Sequence, residues 1–525
     1  MSFKINAFPC RYVWLAAAIS SGLLYCLSIP KFNLSILAFV AITPLVYFSH
    51  NLDSKTAWKM GWLAGIIAAI GRTYWITETL QLYGHLPLYL AVFTNGLLIL
   101  YMGIYSGVFV WLYREFYSDS ILYPIIGASI WILLEWVQSW MISGFPWFLI
   151  GYTQFQNMAF AQNASFVGIY GLSFFIVAIN IYIARALDSR IRMRFLLSAV
   201  FLIALTHKGL IITFDTKEKT DQPSLKIGVI QGNISQARKW NGEQLSWTTD
   251  HYISLTKKLA LAKPDLIVHP ETAFPYYFNH RNYADYANQI RALVAEIKIP
   301  LLVGSLHGTP NKSNPIYNRA FMLDKKGETK GFADKVHLVP FGEYLPFPTF
   351  FGYLGELTAQ SGQFTPGAKH NVLSVPDSKG LAGIFICYES IFPDITRSLV
   401  LDGANFLINT TNDAWFGQTA APEQHFAMSV IRAIETRRTV VRAANTGISG
   451  IISPTGEITS STKLEETKVF TKTIELRSDK TFYVRHGNWI LGFSAIILMI
   501  YLLFVLKICS VSSLKSLIHQ KSQGI

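Results

Sequence analysis

The pattern of apolar and polar positions divides the chain in two. Apolar runs of about 20 residues, the length a helix needs to cross a bilayer, recur at 11–30, 33–50, 57–78, 87–113, 121–142, 164–185 and 194–214, with an eighth at 487–506. They predict a membrane α-helical bundle of eight transmembrane helices. The first run has the length of a secretory signal. It ends in Ser-Ile-Pro-Lys without a small-residue cleavage site, and another run follows at once, so it is expected to be retained. Between 225 and 475 the period changes. Strand-length runs at 225–230, 265–268, 300–306, 317–323, 381–386 and 404–409 alternate with helical stretches at 242–262, 283–298, from 391, and 421–437. Such alternation predicts a layered α/β domain. The expected organisation is a seven-helix membrane domain over 1–220, a soluble domain over 221–480, and an eighth span with a tail over 481–525.

Composition sharpens this division. The 525-residue chain is 51% hydrophobic and 15% charged, against about one-quarter charged in an ordinary soluble domain. Only 18 charged side chains fall in residues 1–214, and 59 in the remaining 311. Disorder, a disulfide scaffold and a collagen-like chain are excluded. The net charge of +13 invites a nucleic-acid reading. No basic stripe is interleaved with aromatics, so no nucleic-acid partner is expected. The positive charges read better as topology. Lys4, Arg11, Lys55, Lys59, Arg114, Arg185, Arg190, Arg192 and Arg194 occupy one set of loops, and Lys31 is nearly alone in the other. Lys507, Lys515 and Lys521 follow the last run. Both termini are then cytoplasmic and residues 220–480 lie outside. Arg72 and Glu135 fall inside predicted spans, where a charge is costly unless paired or wet. An ion pair between two helices is one expectation, and a polar spot for a lipid headgroup the other.

Candidate chemistry lies in the second part. Of Cys10, Cys26, Cys387 and Cys509, only Cys387 lies in the soluble region, which leaves no disulfide framework and no zinc spacing there. Three stretches end predicted strands: Asp265-Leu-Ile-Val-His-Pro-Glu271, Ala333-Asp-Lys335-Val-His-Leu-Val-Pro-Phe-Gly-Glu343, and Gly383-Ile-Phe-Ile-Cys387-Tyr-Glu389. Each alone is unremarkable, since a lone Cys after a strand usually packs and a lone Lys is usually solvated. Glu271, Lys335 and Cys387 in that order, 64 and 52 residues apart, are harder to obtain by chance.

On these residues the chain resembles the nitrilase, or carbon–nitrogen hydrolase, superfamily. That resemblance implies an α-β-β-α sandwich with a Glu271–Lys335–Cys387 triad. Glu271 would accept the thiol proton, Cys387 would attack a carbonyl to give a thioester, and Lys335 would stabilise the oxyanion. Glu343 would orient Lys335. The N–H of Tyr388 is a candidate second oxyanion donor, with Glu389 beside it as support. Over nearly its whole length the chain resembles the membrane-bound branch that acylates bacterial lipoproteins. Gly144-Phe-Pro-Trp147 with Gly151-Tyr-Thr-Gln154, Lys239-Trp240, Cys387-Tyr-Glu-Ser390 and Asn412-Asp-Ala-Trp415-Phe-Gly417 carry that likeness. It implies ping-pong transfer of a fatty acyl chain, the sn-1 chain of phosphatidylethanolamine, to the α-amino group of an S-diacylglyceryl-cysteine apolipoprotein. The implied setting is the bacterial inner membrane with a periplasmic site. No cofactor or metal is expected, and a monomer is.

The 344–365 stretch is rich in Phe, Tyr, Leu, Pro and Gly. It is expected to act as a mobile lid that dips into the membrane, with Phe350 and Phe351 meeting acyl chains. Trp240 and Trp415 are further substrate-binding candidates, whereas His269, His337 and His425 read as structural histidines. A membrane-tethered amidase or nitrilase shares the triad and is the alternative enzyme. A transporter with a sensor domain is disfavoured by the lack of internal repeats.

Overall fold

In the computed structural model, residues 12–188, 192–207, 223–309, 315–346, 349 and 364–522 are described, the side chains of residues 188 and 506–522 excepted. The strands are β1 (Ser224–Gln231), β2 (Leu266–Val268), β3 (Phe274–Tyr277), β4 (Leu301–His307), β5 (Tyr317–Leu323), β6 (Thr329–Asp334), β7 (Val372–Ser374), β8 (Leu381–Ile386), β9 (Phe406–Thr411), β10 (Val440–Ala444), β11 (Gly450–Ile452), β12 (Ile458–Ser461) and β13 (Lys468–Glu475). They form two sheets. One has the order β13-β1-β2-β4-β5-β6, with β3 also paired to β4, and the other the order β12-β11-β10-β9-β8-β7. Parallel pairs hold the middle of each sheet, β1–β2–β4 in the first and β8–β9–β10 in the second. Antiparallel strands close the edges.

The continuous apolar runs of the central strands arise because both faces are covered. Ile227, Val229, Leu266, Val268, Leu302, Ala320 and Met322 join the core between the sheets. Their neighbours Ile230, Ile267, Leu301, Val303, Phe321 and Leu323 turn to the other side, under helices Leu245–Ala260 and Ala284–Ile297. On the second sheet the outer layer is helices Pro393–Leu401 and Ala421–Thr436. The four layers are the sandwich expected from the motifs.

The helical part matches the expected eight spans only in part among the described residues. Two of its helices, Leu88–Glu115 and Ala164–Leu187, are long and apolar enough to cross a bilayer among the described residues. The run at 33–50 breaks into a 3-10 turn, Ser35–Phe39, and a short helix, Thr43–Ser49, because Pro44 suits only a first helical turn. The run at 57–78 splits between helix Ser54–Thr73 and helix Trp75–Leu82. Helices Val13–Ser28, Tyr123–Gln138, Arg192–His207 and Trp489–Ser522 fall on the other runs. Many outward side chains are apolar: Tyr89 and Phe93 are 72% and 62% exposed, and Phe201 67%.

The second sheet's outer helix is pressed against the helical part, so every residue of Ala421–Thr436 except Glu423 is buried. Gln424 accepts from Trp147 Nε1 at 2.7 Å and donates to the Pro30 carbonyl at 3.3 Å. Helix Ala164–Asp188 is interrupted at Gly168, and the Ile169 N–H after this break donates to Glu435 Oε1 at 2.8 Å. The expected Arg72–Glu135 ion pair does not form. Glu135 Oε1 instead accepts from Trp131 Nε1 at 2.9 Å and from the Ile150 N–H at 3.1 Å. The Arg72 guanidinium lies 5.3 Å from the centre of the Tyr25 ring. The loop at 149–150 has claimed the carboxylate.

Candidate active site

Glu271 follows β2 in the turn His269-Pro270-Glu271, and β4 lies close behind it. A side chain at Gly304 would collide with the Pro270 carbonyl, so this glycine sets how near the strand and the turn can come. Lys335 follows β6, and its N–H donates to the Asn318 carbonyl at 2.9 Å. The two side chains meet where these ends converge. Lys335 Nζ is 3.2 Å from Glu271 Oε1 and 2.9 Å from Glu343 Oε1. Asn318 Nδ2 donates to Glu271 Oε1 at 2.6 Å. Glu343 Oε2 accepts the Val339 N–H at 2.8 Å, so Glu343 closes the loop that carries Lys335.

Burial works against charge on Lys335. Glu271 and Glu343 outweigh it and hold the ammonium well above its ordinary value. Burial raises Glu343, the Glu271 charge adds to this, and Lys335 opposes it. The cluster thus has one cation between two carboxylates.

Cys387 comes from the other sheet. It sits where β8 ends and the 3-10 turn Cys387–Ile391 begins, with a left-handed φ of +52°. That conformation costs of order 1–3 kcal/mol and persists only where the surroundings impose it. Glu389 imposes it. Its Oε2 accepts the Ile386 N–H at 2.6 Å, just before the nucleophile. Its Oε1 accepts the Val336 and His337 N–H groups at 2.7 and 3.0 Å, just after Lys335, and also meets His370 Nε2 at 3.2 Å. One carboxylate therefore joins the Cys387 turn of one sheet to the Lys335 loop of the other. Burial opposes its charge, but His370 and the main-chain donors prevail and hold it below its usual range.

Burial pushes the Cys387 thiol up to about 12, with Glu271 adding and Lys335 opposing. A resting thiol is therefore neutral and needs its proton removed during reaction. Beneath it lies a second charged cluster. His425 Nε2 lies 3.1 Å from the Cys387 carbonyl and 2.6 Å from Ser390 Oγ. Its Nδ1 is 3.0 Å from Asp413 Oδ1, and Arg442 holds Asp413 Oδ2 at 2.8 Å. All three are fully buried.

The other sequence candidates are placed as follows. The Tyr388 hydroxyl donates to the Gly144 carbonyl at 3.1 Å, which ties the nucleophile turn to the helical part. Trp240 is 43% exposed. Trp415 packs edge-on to Tyr83, and its carbonyl accepts from Thr79 Oγ1 at 2.8 Å. Phe350, Phe351 and most of the 344–365 stretch lie outside the described residues. His269 is buried, paired with Thr256 Oγ1 at 2.9 Å, and lowered by burial to about 3. His337 packs tilted against Phe392 with ring centres 3.9 Å apart.

Sequence reasoning passed over Asn318 and gave Lys239, quoted only beside Trp240, no role. Lys239 Nζ donates to the Glu271 carbonyl at 2.9 Å. Its proximity to Trp240 was the only available signal. Asn318 gave one too, as a polar residue at the head of an apolar strand.

Comparison with known proteins bears on the family of the chain. Residues 21–182 match the family model described as the apolipoprotein N-acyltransferase N-terminal domain, and residues 226–479 the carbon-nitrogen hydrolase model. The chain is 36% identical over 478 residues to the apolipoprotein N-acyltransferase of Geobacter metallireducens, covering 90% of this chain and 91% of that one. It is 31% identical over 506 residues to that of Brucella suis, covering 90% and 92%. Among solved structures it is similar to a carbon-nitrogen hydrolase from Helicobacter pylori G27, at 18% identity and a TM-score of 0.37, covering 48% of this chain and 90% of that chain.

Proposed function

The chain belongs to the apolipoprotein N-acyltransferase family, N-acyltransferases that carry a carbon–nitrogen hydrolase domain, and from that premise we propose which residues perform the transfer and where. Cys387 is the nucleophile. Glu271 takes its proton as the thiol attacks the ester carbonyl of a phospholipid, phosphatidylethanolamine at the sn-1 position. Lys335 and the Tyr388 N–H receive the oxyanion. Glu271 returns the proton to the departing lysophospholipid oxygen, leaving an acyl thioester on Cys387. The α-amino group of a diacylglyceryl-cysteine apolipoprotein then attacks the thioester. Glu271 accepts the amine proton and passes it to the Cys387 sulfur, which leaves as the thiol. Glu343 and Glu389 hold Lys335 and the Cys387 turn in register throughout.

The observation that carries this reading is the convergence of Glu271, Lys335 and Glu343 from one sheet with the Glu389-clamped Cys387 turn of the other. Both substrates are lipid-anchored, so the site belongs at a bilayer surface. The apolar, outward side chains of helices Leu88–Glu115 and Arg192–His207 support insertion of the helical part in the bacterial cytoplasmic membrane. The Lys and Arg asymmetry of its loops supports placing the sheets on the periplasmic side.

The test uses the full chain in lipid with isotopically labelled phosphatidylethanolamine. Mass spectrometry should find an acyl adduct on Cys387 that moves to the amine of a diacylglyceryl peptide when one is added. Acyl transfer with no adduct on Cys387, or retained by Cys387→Ala, would sink the assignment.

A further inference from the structure

Lys239 is a buried base that the mechanism above does not use. It ends the short helix Gln236–Lys239, is 2% exposed, and gives its hydrogen bond to the main-chain carbonyl of Glu271 at 2.9 Å. No carboxylate pairs with it among the described residues. Buried ammonium groups are normally paired with an anion, so this position calls for a reason. The titratable groups that face it are Glu271, from the turn after β2, and Cys387, from the turn after β8. Arg238, on its own helix, lies instead over the Trp247 ring at 4.3 Å.

The charge balance of the site supplies the reason. Glu271 and Glu343 are two carboxylates on one ammonium, Lys335. The reaction then adds more negative charge, first as thiolate and then as oxyanion, in a setting where each uncompensated charge is expensive. We propose that Lys239 is a positioning residue. Through the Glu271 carbonyl it pins the turn that aims the Glu271 carboxylate, and its ammonium supplies the positive charge that the carboxylate-rich cluster lacks while Cys387 ionises. This rests on the Glu271–Lys335–Cys387 reading given above. Burial lowers Lys239 to about 7, with Glu271 and Cys387 opposing. Its charge is therefore present below that pH and fades as pH rises through it.

The experiment measures single-turnover acylation of Cys387 by phosphatidylethanolamine vesicles, on the full chain, at about pH 6 and about pH 9, on either side of the Lys239 transition. Wild type, Lys239→Met and Lys239→Arg are compared, with thermal unfolding as the control for folding. Wild type should exceed Lys239→Met by about tenfold or more at the lower pH, and the ratio should shrink at the higher pH to the part owed to the lost hydrogen bond to the Glu271 carbonyl. Lys239→Arg, which stays charged, should keep the wild-type rate at the lower pH and surpass it at the higher. A wild-type to Met ratio that is near unity at low pH, or unchanged between the two pH values, overturns the proposal. So does an Arg variant as slow as the Met variant. If Lys239→Met does not fold, Lys239→Gln takes its place in the same ratios, since its amide can still donate to the Glu271 carbonyl. Failure of the triad reading would look different, with no adduct on Cys387 in the wild type itself.

Discussion

Two buried charge clusters flank Cys387, and they are built on opposite principles. On one side Glu271, Lys335 and Glu343 leave a cation shared between two carboxylates. On the other Asp413, Arg442 and His425 pair almost completely. Arg442 also meets Asn409, Ser429 at 3.2 Å and the Ile448 carbonyl at 3.2 Å. The two carboxylates, Asp413 fully buried and Glu343 nearly so, shift in opposite directions. Glu343 is raised, by burial and then by the Glu271 charge. For Asp413 burial also raises, but Arg442 and His425 overcome it and hold the carboxyl far below its ordinary value. Burial alone thus does not decide which way a carboxylate shifts; the balance of its charged partners does.

The sharpest way to break this comparison is to remove one cation from each cluster. Lys335→Met should cut the rate of Cys387 acylation by about 10²–10³-fold, as expected for a lost oxyanion partner, while the chain still folds. Arg442→Met should do the reverse. It strands the buried Asp413 and should cost about 3–5 kcal/mol of stability. Acylation rates and thermal unfolding of the two variants together decide the matter. A Lys335 variant that unfolds and an Arg442 variant that folds but is inert would invert the roles assigned here.

Acid provides a milder probe. Asp413 has a lowered folded value, so its contribution to stability is complete above about pH 4, the unfolded value. That contribution is lost as pH falls from there toward the folded value. Wild type should therefore lose stability below that pH more steeply than Asp413→Asn, although the variant starts lower. Glu343 contributes with the opposite sign. The folded state favours its proton, so stability falls as pH rises past the ordinary carboxylate range. Melting temperatures against pH for both Asn and Gln variants would test the signs. Equal acid slopes for wild type and Asp413→Asn would remove Asp413 from the account.

Part of the first cluster was legible in the sequence: Glu271 and Cys387 each follow an apolar run, Lys335 stood out by its order and spacing from them, and Glu343 came from the family resemblance. The second cluster was not. Asp413, His425 and Arg442 come from three elements and face one another only after β9, β10 and helix Ala421–Thr436 pack. The same cause hid the nature of that helix. Gln424, His425, Arg432 and Glu435 have the polarity of a solvent face, and the helix has a surface counterpart in Leu245–Ala260. They are buried because the helical part covers them. Periodicity registers polarity and is silent on what polarity is turned toward. The run at 33–50 failed similarly, since an apolar stretch carries no mark of where a 3-10 turn interrupts it.

Glu389 connects the two sheets and tests the comparison at intermediate strength. Glu389→Gln keeps the shape but places an amide group where four donors converge. Leaving buried donors unpaired should cost about 1–3 kcal/mol. Acylation should fall as the Lys335 loop and the Cys387 turn lose their common clamp. A variant with full activity and lowered stability would make Glu389 a folding residue alone.

The smallest expected effect lies at the seam with the helical part. Gln424 accepts from Trp147 and donates to the Pro30 carbonyl, and His425 beside it stacks on Trp147 with ring centres 5.8 Å apart. Gln424→Leu fills the same space but leaves the Trp147 N–H without an acceptor, at a cost of about 1–2 kcal/mol. If the second cluster only holds the Cys387 carbonyl, iodoacetamide should alkylate Cys387 at the wild-type rate in this variant. A change in that rate would mean that His425 transmits the state of the helical part to the nucleophile. The fully paired cluster would then share in tuning the thiol, and the division between a reactive side and a structural side of Cys387 would have to be given up.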